Sequence, residues 1–407
     1  MGIRSGGVPH LATALADALR GAHGDDLVID SLTHPLHTYP ARMHPATARA
    51  LVEICFTVEH AEPRLVFDPF CGSGTTLVEG RAAGLDVVGS DLNPLAVRIS
   101  RAKLWAPDRK RLDAFRALGK KISAATFEEG KAARRSDYQA RPLRVPAGVD
   151  AAAREEEIGK WFSPHVRREL EFIAAAIDEL REDDAEFAEL FAVCLSSILI
   201  KCSKRSSDTS SKEVKRNIGR GMPARWFGER VELLCEGLFD LHKAGASGSV
   251  RIIEQDARET GIAAGSVGAI ISSPPYVGTY DYVDHHRLRL AFLGLPYEQF
   301  EKGEIGARRR FKGRAKQATE VAYNDFRTWI DNAYKVLAPG GLMALMVGDS
   351  VAGVEPIWAD ELLRDLVGSR FKALAWASQE RDKLGGLEKR AFVDRAKREH
   401  LLLFEKR

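Results

Sequence analysis

The sequence lacks long apolar runs, and it carries little net charge of either sign. No stretch of about 18 consecutive apolar residues occurs in the 407-residue chain, so a membrane-spanning helix is not predicted. The N-terminus has no uninterrupted apolar core after its first charges, which argues against a secretory signal peptide. The net charge of +3 does not by itself indicate a nucleic acid partner, because only the distribution of charge can do so.

Cysteine is scarce, odd in number and without a Cys-x-x-Cys pair. The five cysteines are Cys55, Cys71, Cys194, Cys202 and Cys235. This pattern argues against a disulfide framework and against a zinc site, and it predicts reduced, buried thiols in a cytoplasmic protein. The apolar fraction of 45% is usual for a globular protein, and the length suits one large domain with an insertion, or two domains.

A glycine-rich turn follows a short apolar run early in the chain. The apolar run Leu65 to Phe67 is predicted to be a strand, and Leu85 to Asp91 is predicted to be a second one. Between them, a turn that opens a helix is predicted for the residues Asp68-Pro69-Phe70-Cys71-Gly72-Ser73-Gly74-Thr75-Thr76. A Gly-x-Gly turn lets the backbone approach a ligand and directs helix N-terminal amides at it. Leu77 occupies the place of the third glycine in the dinucleotide fingerprint, which weakens NAD or FAD as the ligand.

Three carboxylates stand at predicted strand ends around this turn. Asp91 ends the second strand, where an acid can accept hydrogen bonds from a ribose diol. Asp68 ends the first strand, where it can orient the turn or meet a cationic part of the ligand. Asp256 ends a third strand, Val250 to Asp256, and can accept from an adenine amino group.

A second motif, Ser272-Ser273-Pro274-Pro275-Tyr276, ends the predicted strand Val267 to Ser272. The Ser273 hydroxyl and the Pro274 carbonyl can accept hydrogen bonds from an exocyclic amine, which favours direct attack of its nitrogen on a methyl donor. The two prolines stiffen the loop, and Tyr276 offers a face on which an extruded base can stack. Together the two motifs predict methyl transfer to a nucleobase nitrogen.

The remaining pattern predicts an α/β fold with a mostly parallel sheet and helices on both faces. Further strands are expected at Leu342 to Val347, Phe371 to Ser378 and His400 to Phe404, the last two as a closing pair. Residues 105–245 have helical spacing and are expected to form a mainly helical insertion that recognises the target. The catalytic domain is then discontinuous, with residues 1–104 and 246–407 as its two parts.

The turn at 68–76 resembles the first motif of S-adenosylmethionine-dependent DNA amino-methyltransferases. His37 to Pro45 is similar to the segment that lies beside the methionine end of the cofactor in that family. The resemblance covers about residues 33–100 and 250–350, and it implies a seven-stranded Rossmann-like class I methyltransferase sheet and S-adenosyl-L-methionine as cofactor. It also implies double-stranded DNA as partner and allows a cognate restriction endonuclease. The predicted cofactor-binding residues are Tyr39, Pro40, Asp68, Pro69, Phe70, Gly72, Gly74, Thr75, Asp91, Asn93 and Asp256, and the catalytic residues are Ser273, Pro274, Pro275 and Tyr276.

The resemblance also bears on the base that is methylated. The family's catalytic turn usually begins with Asp or Asn in adenine N6 enzymes and with Ser or Thr in cytosine N4 enzymes, so Ser273 favours cytosine N4, with adenine N6 as the alternative. No cysteine follows a proline, which disfavours cytosine C5 chemistry. A second hypothesis is an RNA guanine N2 methyltransferase, because such enzymes share a similar first turn, although they usually have Asp or Asn before Pro-Pro-Tyr. A third hypothesis is a binding module that keeps the fold without catalysis.

Positive charge is concentrated in two segments. Residues 201–230 contain nine Lys or Arg and three acidic residues. They are also rich in Ser and Gly, so we expect this segment to be an exposed loop. Residues 308–316 contain six basic residues and no acidic one. Either run fits a solvated surface, but near a catalytic motif both indicate phosphate contacts. The predicted DNA-binding residues are Lys204, Arg205, Lys215, Arg216, Arg308, Arg309, Arg310 and Lys312. His285 and His286 do not form a metal ligand set, and their segment is expected to be a helix that supports the loop or touches phosphate.

Overall fold

A computed structural model of the protein describes residues 2–407 except 22–25, 57–62, 133–142, 144, 147–148, 260, 312–314, 353–354 and 384. The twelve strands within this part are β1 (Ile3–Gly7), β2 (Leu65–Asp68), β3 (Asp86–Asp91), β4 (Arg205–Ser207), β5 (Ser210–Glu213), β6 (Val250–Glu254), β7 (Val267–Ser272), β8 (Leu337–Gly348), β9 (Ser350–Ala352), β10 (Glu355–Ile357), β11 (Phe371–Glu380) and β12 (Arg398–Lys406).

Eight of these strands form one sheet in the order β1-β11-β12-β8-β7-β2-β3-β6. The pairings of β2 with β3, β2 with β7, β3 with β6 and β7 with β8 are parallel, and β12, β11 and β1 add antiparallel strands at one side. The predicted Rossmann-like class I methyltransferase sheet is therefore confirmed, with eight strands instead of seven. The extra strand is β1, whose polar and glycine-rich sequence gives no strand pattern.

The helices are α1 (Pro9–Gly21), α2 (Asp26–Ile29), α3 (Pro45–Phe56), α4 (Thr75–Ala82), α5 (Pro94–Lys103), α6 (Arg109–Ala132), α7 (Ala151–Trp161), α8 (Pro164–Asp183), α9 (Ala185–Cys202), α10 (Met222–Lys243), α11 (Tyr282–Leu293), α12 (Glu298–Gly303), α13 (Ala315–Val336), α14 (Ala359–Val367) and α15 (Gly386–Ala391). Within the described residues, none is both long and apolar enough to cross a bilayer.

The sheet is covered on both faces because neighbouring residues of each strand point to opposite sides. Val66 of β2 packs in the core formed with α1, α3 and α4, whereas the next residue, Phe67, packs in the core formed with α13 and α14. β7 repeats this pattern with Ile271 and Ile270. Strands that are apolar on both faces are typical of the buried centre of a parallel sheet.

The order of the strands reverses next to β2. The chain proceeds from β2 through β3 to β6 on one side and then crosses to β7 on the other. In open α/β sheets ligands bind outside the carboxyl ends of the strands at such a switch point. Asp68 ends β2 and Ser272 ends β7, so the two sequence motifs meet at this point.

Helices α6 to α10 lie between β3 and β6, where the helical insertion is expected. Their apolar core includes Phe115, Leu170, Phe191 and Leu234, and it continues into α5 and α11 of the catalytic part. The insertion thus packs on the helix that follows the catalytic motif. The boundaries 105 and 245 stay a prediction.

The expectation of a loop over residues 201–230 is wrong for most of the segment, although residues 214–221 lie outside helices and strands. The rest consists of the end of α9, the β4–β5 hairpin and the first nine residues of α10. The hairpin is closed by Arg205, whose guanidinium donates to the carbonyls of Asp208 and Ser210. A short strand pair held by a charged side chain shows no alternation of apolar residues, so the sequence pattern does not reveal it.

Candidate active site

An open cleft of about 880 Å³ lies at the carboxyl ends of the central strands. Most predicted site residues line it together, although they come from four distant parts of the chain. They are Tyr39, Pro40, Asp68, Pro69, Phe70, Gly72, Thr75, Asp91, Asp256, Ser273 and Pro275. Both motifs therefore face one space, and the functional roles of these residues stay predictions.

The glycine turn brings the backbone to the floor of the cleft. Gly72 and Gly74 have φ angles of +50° and +77°, a left-handed conformation that favours glycine. A Cβ on Gly72 would lie 3.1 Å from the ring of Tyr39, and one on Gly74 would lie 2.9 Å from Ser100 Oγ. Helix α4 begins directly after the turn at Thr75, so its first amides point towards the cleft.

Asp91 is fixed by backbone donors at the end of β3. Its Oδ2 accepts from the amide of Gly72 at 2.9 Å, and its Oδ1 accepts from the amide of Asn93 at 2.8 Å. Burial raises the pKa of this carboxyl to about 6 in spite of these hydrogen bonds. An oriented acid beside the glycine turn is the geometry expected for a ribose contact.

Asp68 joins the cofactor turn to the catalytic motif. Its Oδ1 accepts a 2.6 Å hydrogen bond from the hydroxyl of Ser272 and a 3.1 Å bond from the amide of Phe70. The side chain is 4% exposed, and burial raises its pKa to about 7 although the Ser272 bond opposes this shift. Asp68 is thus half ionised near neutral pH, which suits a group that meets a cation.

Asp256 lies two residues beyond the end of β6, since the strand ends at Glu254. Its Oδ1 accepts from the amide and from Nε of Arg258, both at 2.9 Å, and its Oδ2 accepts from the same guanidinium at 2.6 Å. This guanidinium also contacts Asp325 and the carbonyl of Gly303. Each carboxylate oxygen has two acceptor positions, so Asp256 retains the capacity for one more donor.

Tyr39 and the preceding residues are held by a buried network. Asn93 caps α5 with its side-chain oxygen and donates from its amide nitrogen to Tyr39 Oη at 3.2 Å, so it supports the cleft without lining it. The hydroxyl of Thr38 and the guanidinium of Arg289 both donate to the carboxylate of Asp208, and Arg289 is fully buried. This network ties the segment before Tyr39 to the β4–β5 hairpin and to α11.

Some residues of the Ser-Pro-Pro-Tyr turn line the cleft, and the others pack against the sheet. Ser273 and Pro275 line the cleft, whereas Pro274 is buried behind it. The Tyr276 ring lies against Gly348, where an added Cβ would be 2.6 Å from the ring, and its hydroxyl donates to Glu399 at 3.1 Å. Tyr276 is half-buried and does not line the cleft.

The cleft has unused polar atoms that fit S-adenosylmethionine. Ser73 and Thr75 line it and are 2% and 5% exposed, and their hydroxyls make no hydrogen bond to any of the described residues. A buried hydroxyl without a partner is costly, so these atoms require a ligand or water. Together with the glycine turn and Asp91, they provide donors and acceptors for a nucleoside with a charged tail.

One wall of the cleft was not found from the sequence. It is lined by Tyr282 of α11, by Phe300 and Gly303 of α12, and by Glu304 and Ile305, which directly follow α12. A Cβ on Gly303 would lie 2.3 Å from Leu92 Cδ2, which shows how closely this wall approaches the end of β3. These residues form no recognisable motif, because their role comes from a chain reversal that the sequence does not mark.

The predicted DNA-binding residues differ in their accessibility. Lys215, Arg216 and Arg308 are exposed, and Lys204 is half-buried. Arg205 is 6% exposed and closes the hairpin, so it differs from the expected free cation. Lys312 lies outside the described residues.

Arg309 and Arg310 are half-buried and bonded within the chain. Arg309 contacts Glu304, Asp281 and the carbonyl of Glu301, and Arg310 contacts the carbonyl of Lys302. These arginines hold the segment around α12 against α11. Their predicted phosphate contacts would have to be made in addition to these bonds.

His285, His286 and the five cysteines are buried. His285 and His286 are 8% and 0% exposed on α11, so the predicted helix is confirmed, and neither ring is accessible to a phosphate at the surface. All five cysteines are free and buried, as expected. Burial raises the pKa of the Cys71 thiol, which keeps it protonated beside the glycine turn.

Comparisons with known proteins agree with this site. The family described as RMKL-like methyltransferase domain (UPF0020) matches residues 36–123. The type II methyltransferase M.MvaI of Kocuria varians is 35% identical over 158 residues, which cover 38% of this chain and 31% of that protein. The type II methyltransferase M.MjaII of Methanocaldococcus jannaschii is 20% identical over 388 residues, or 78% of this chain and 72% of that protein. The match to M.MvaI thus spans less than a third of that relative's length.

Solved structures give a weaker similarity. TrmN from Thermus thermophilus aligns with 90% of this chain and 49% of its own, at 12% identity and a TM-score of 0.35. A geranyl diphosphate methyltransferase in complex with GPP and sinefungin aligns with 96% of this chain and 98% of its own, at 9% identity and a TM-score of 0.33. Similarity at this level does not identify a substrate. The resemblance predicted from the motifs is confirmed by the match to a methyltransferase domain and by the sequence relatives, and S-adenosylmethionine is the cofactor that they support.

Proposed function

We propose that the protein methylates DNA on an exocyclic base amine, with N4 of cytosine as the preferred position. The observation that carries this proposal is that Ser273 and Asp91 line one cleft, with Asp68 bonded to the residue before Ser273. A base held at Ser273 therefore lies in the same space as the predicted cofactor residues.

The chemistry requires acceptors for the amine and no covalent intermediate. S-adenosylmethionine, when bound, supplies an electrophilic methyl group on a sulfonium. Ser273 accepts a hydrogen bond from the amine and helps to free the nitrogen lone pair from conjugation with the ring. Pro275 keeps the turn rigid, so that the acceptor is fixed before the base arrives.

A thiolate mechanism at cytosine C5 is disfavoured by the cleft itself. Cys71 is the cysteine that lines it, and burial holds the pKa of this thiol well above its ordinary value. A protonated thiol is a poor nucleophile. Direct transfer to an amine needs no such group.

The choice of base and nucleic acid rests on the family resemblance. Ser273 at the first position of the turn favours cytosine N4 over adenine N6. The cations Lys215, Arg216 and Arg308 are exposed, and we expect them to contact phosphates in addition to the bonds that Arg216 makes to the Arg205 carbonyl and Arg308 to Asp281. Duplex DNA is thus the proposed substrate, and methylation of RNA at guanine N2 is the less favoured alternative. The resemblance also allows a restriction endonuclease of the same specificity as a partner.

The substrate class is tested by transfer of a labelled methyl group. The purified protein is incubated with methyl-tritiated S-adenosylmethionine and either genomic duplex DNA from an unmethylated host or total RNA. We expect acid-precipitable label on DNA alone and its loss in Ser273→Ala. Label on RNA without label on DNA would contradict the proposal. Ser266→Ala, which changes an exposed serine, is the matched control.

A further inference from the structure

Two tyrosines near Ser273 differ in what surrounds their rings. Tyr276, the tyrosine of the motif, lies against Gly348 and donates its hydroxyl to Glu399. Tyr282, six residues later and outside any motif, is half-buried and lines the cleft beside Ser273 and Pro275. Of these two tyrosines, the one that lines the cleft is therefore Tyr282, which lies outside the motif.

Tyr282 stands between the cofactor side and the target side of this space. It lines the cleft together with Tyr39, which packs on the glycine turn, and with Ser273 of the catalytic turn. Burial is the main reason that the pKa of Tyr39 and that of Tyr276 lie well above the usual range, and the nearby phenol of Tyr282 contributes to both shifts. Tyr282 is thus close to Tyr39, which packs on the glycine turn, and to Tyr276 of the catalytic motif.

The position of Tyr282 is fixed by the wall that follows it. Its amide donates to Glu304 Oε1 at 2.6 Å, and Glu304 Oε2 accepts from Arg309. The preceding residue, Asp281, is 5% exposed and accepts from the amide of Arg309 at 2.8 Å. These bonds fix the backbone that carries Tyr282, so less conformational entropy is lost when its ring meets a ligand.

We propose that Tyr282 is a second aromatic surface for the target base, which stacks on it inside the cleft while its amine meets Ser273. This inference rests on the proposed function, because it requires an extruded nucleobase as substrate. Base–aromatic stacking is the means by which proteins hold unpaired bases. Arg308, exposed on the same segment and 3.3 Å from Asp281, is positioned to contact the phosphates that flank such a base.

The test compares variants that keep or remove the ring. Tyr282→Phe keeps it and should retain kcat/KM for DNA within about threefold, whereas Tyr282→Leu should lower kcat/KM by roughly 10- to 100-fold, the range of one lost stacking contact. Tyr280→Leu is the matched control, since Tyr280 lies 5.5 Å from the Tyr282 ring and does not line the cleft. A thermal unfolding measurement shows whether each variant is folded. Tyr282→Trp is a second substitution that keeps an aromatic surface, so it should also retain activity.

The readouts separate this role from a structural one. The Kd for S-adenosylmethionine, measured by calorimetry, should change less than about threefold in Tyr282→Leu. Equal activity of Tyr282→Leu and wild type on DNA overturns the inference alone, as does a loss that appears only in cofactor affinity. Absence of any methyl transfer to DNA by the wild-type protein overturns the proposed function as well.

Discussion

The hydroxyl of Ser272 donates to Asp68 Oδ1 at 2.6 Å, across the junction between β7 and β2. Because these strands are neighbours at the point where the sheet order reverses, this bond connects the end of the catalytic strand to the end of the cofactor strand. A displacement of either motif would break a buried, charge-assisted hydrogen bond. The two motifs are therefore one structural unit.

This relationship predicts a pH dependence of cofactor binding. Burial raises the pKa of Asp68 to about 7, and the cationic cofactor favours the ionised carboxylate. Affinity for S-adenosylmethionine should therefore rise between pH 6 and pH 8, as measured by calorimetry. Ser272→Ala removes a bond that favours ionisation, so it should move the midpoint of this rise to higher pH. In Asp68→Asn the rise should be absent, and its persistence there would assign it to another group.

The same carboxyl makes a contribution to stability of the opposite sign. Its folded pKa of about 7 is above the unfolded value of 3.8, so its contribution to the free energy of unfolding is fully present below pH 3.8 and is lost as the pH rises through 7. Asp68→Asn should flatten this part of the pH profile of urea unfolding. An unchanged profile would show that Asp68 titrates normally.

Asp91 should contribute to cofactor affinity and little to catalysis once the cofactor is bound. Asp91→Ala leaves a ribose hydroxyl and the Gly72 amide without an acceptor, which costs about 1–3 kcal/mol of binding free energy. Asp86→Ala at the exposed start of the same strand is the control and should bind normally. If Asp91→Ala bound S-adenosylmethionine with unaltered affinity, Asp91 would have no role in cofactor binding and would only end its strand.

The glycine turn can be tested with two substitutions of equal backbone cost. Gly72 and Gly340 both have a left-handed φ, at +50° and +72°, so alanine costs about 1–2 kcal/mol of stability at each. Gly340 has open space around it, whereas a Cβ on Gly72 would press on the Tyr39 ring. Gly72→Ala should therefore weaken cofactor binding and Gly340→Ala should not. Equal affinities for the two variants would contradict a close backbone approach at Gly72.

The catalytic turn should separate binding from transfer. Ser273→Ala is expected to retain cofactor affinity and to lose methyl transfer, because its hydroxyl acts on the target amine. Tyr276→Ala is expected to do the same, because the Tyr276 ring against Gly348 and its hydroxyl bond to Glu399 hold the turn that carries Ser273. The expected loss for Ser273→Ala is on the order of 100-fold in kcat, as for the removal of one oriented hydrogen-bonding group elsewhere. Full turnover in either variant would remove that residue from the chemistry.

The exposed cations should determine the salt dependence of DNA binding. Arg308→Ala should reduce the slope of log K against log salt concentration by about 1, the value for one phosphate contact. Lys372→Ala, on the antiparallel strand β11, should leave the slope unchanged. Arg205 closes its own hairpin, so Arg205→Ala should affect folding of the hairpin more than the salt slope.

The cofactor half could be predicted because its chemistry is local in the sequence. The strand, turn, helix and strand around Gly72 follow one another within about thirty residues, and the boundaries of β2, α4 and β3 agree with the pattern to within one or two residues. The strand β7 agrees with the prediction at both ends. Periodic burial and glycine at a left-handed position are signals that a single sequence contains.

The other elements depend on contacts between distant residues. β1 forms a strand because it pairs with β11, and the β4–β5 hairpin forms around the buried Arg205. The cleft wall at Glu304 is positioned by bonds to Tyr282 and Arg309. A basic run in the sequence does not distinguish an exposed cation from one that closes a turn. Charge alone therefore predicts phosphate contacts without showing which of these cations are already bonded within the chain, as Arg205 is.

The central claim, direct methylation of an exocyclic amine, is tested most directly by identifying the methylated nucleoside. Duplex DNA from an unmethylated host is incubated with the protein and S-adenosylmethionine, digested to nucleosides and analysed by mass spectrometry. We expect N4-methylcytosine, absent from the reaction with Ser273→Ala. N6-methyladenine in its place would retain the chemistry and overturn the base assignment, whereas 5-methylcytosine, or no methylated nucleoside, would contradict the account.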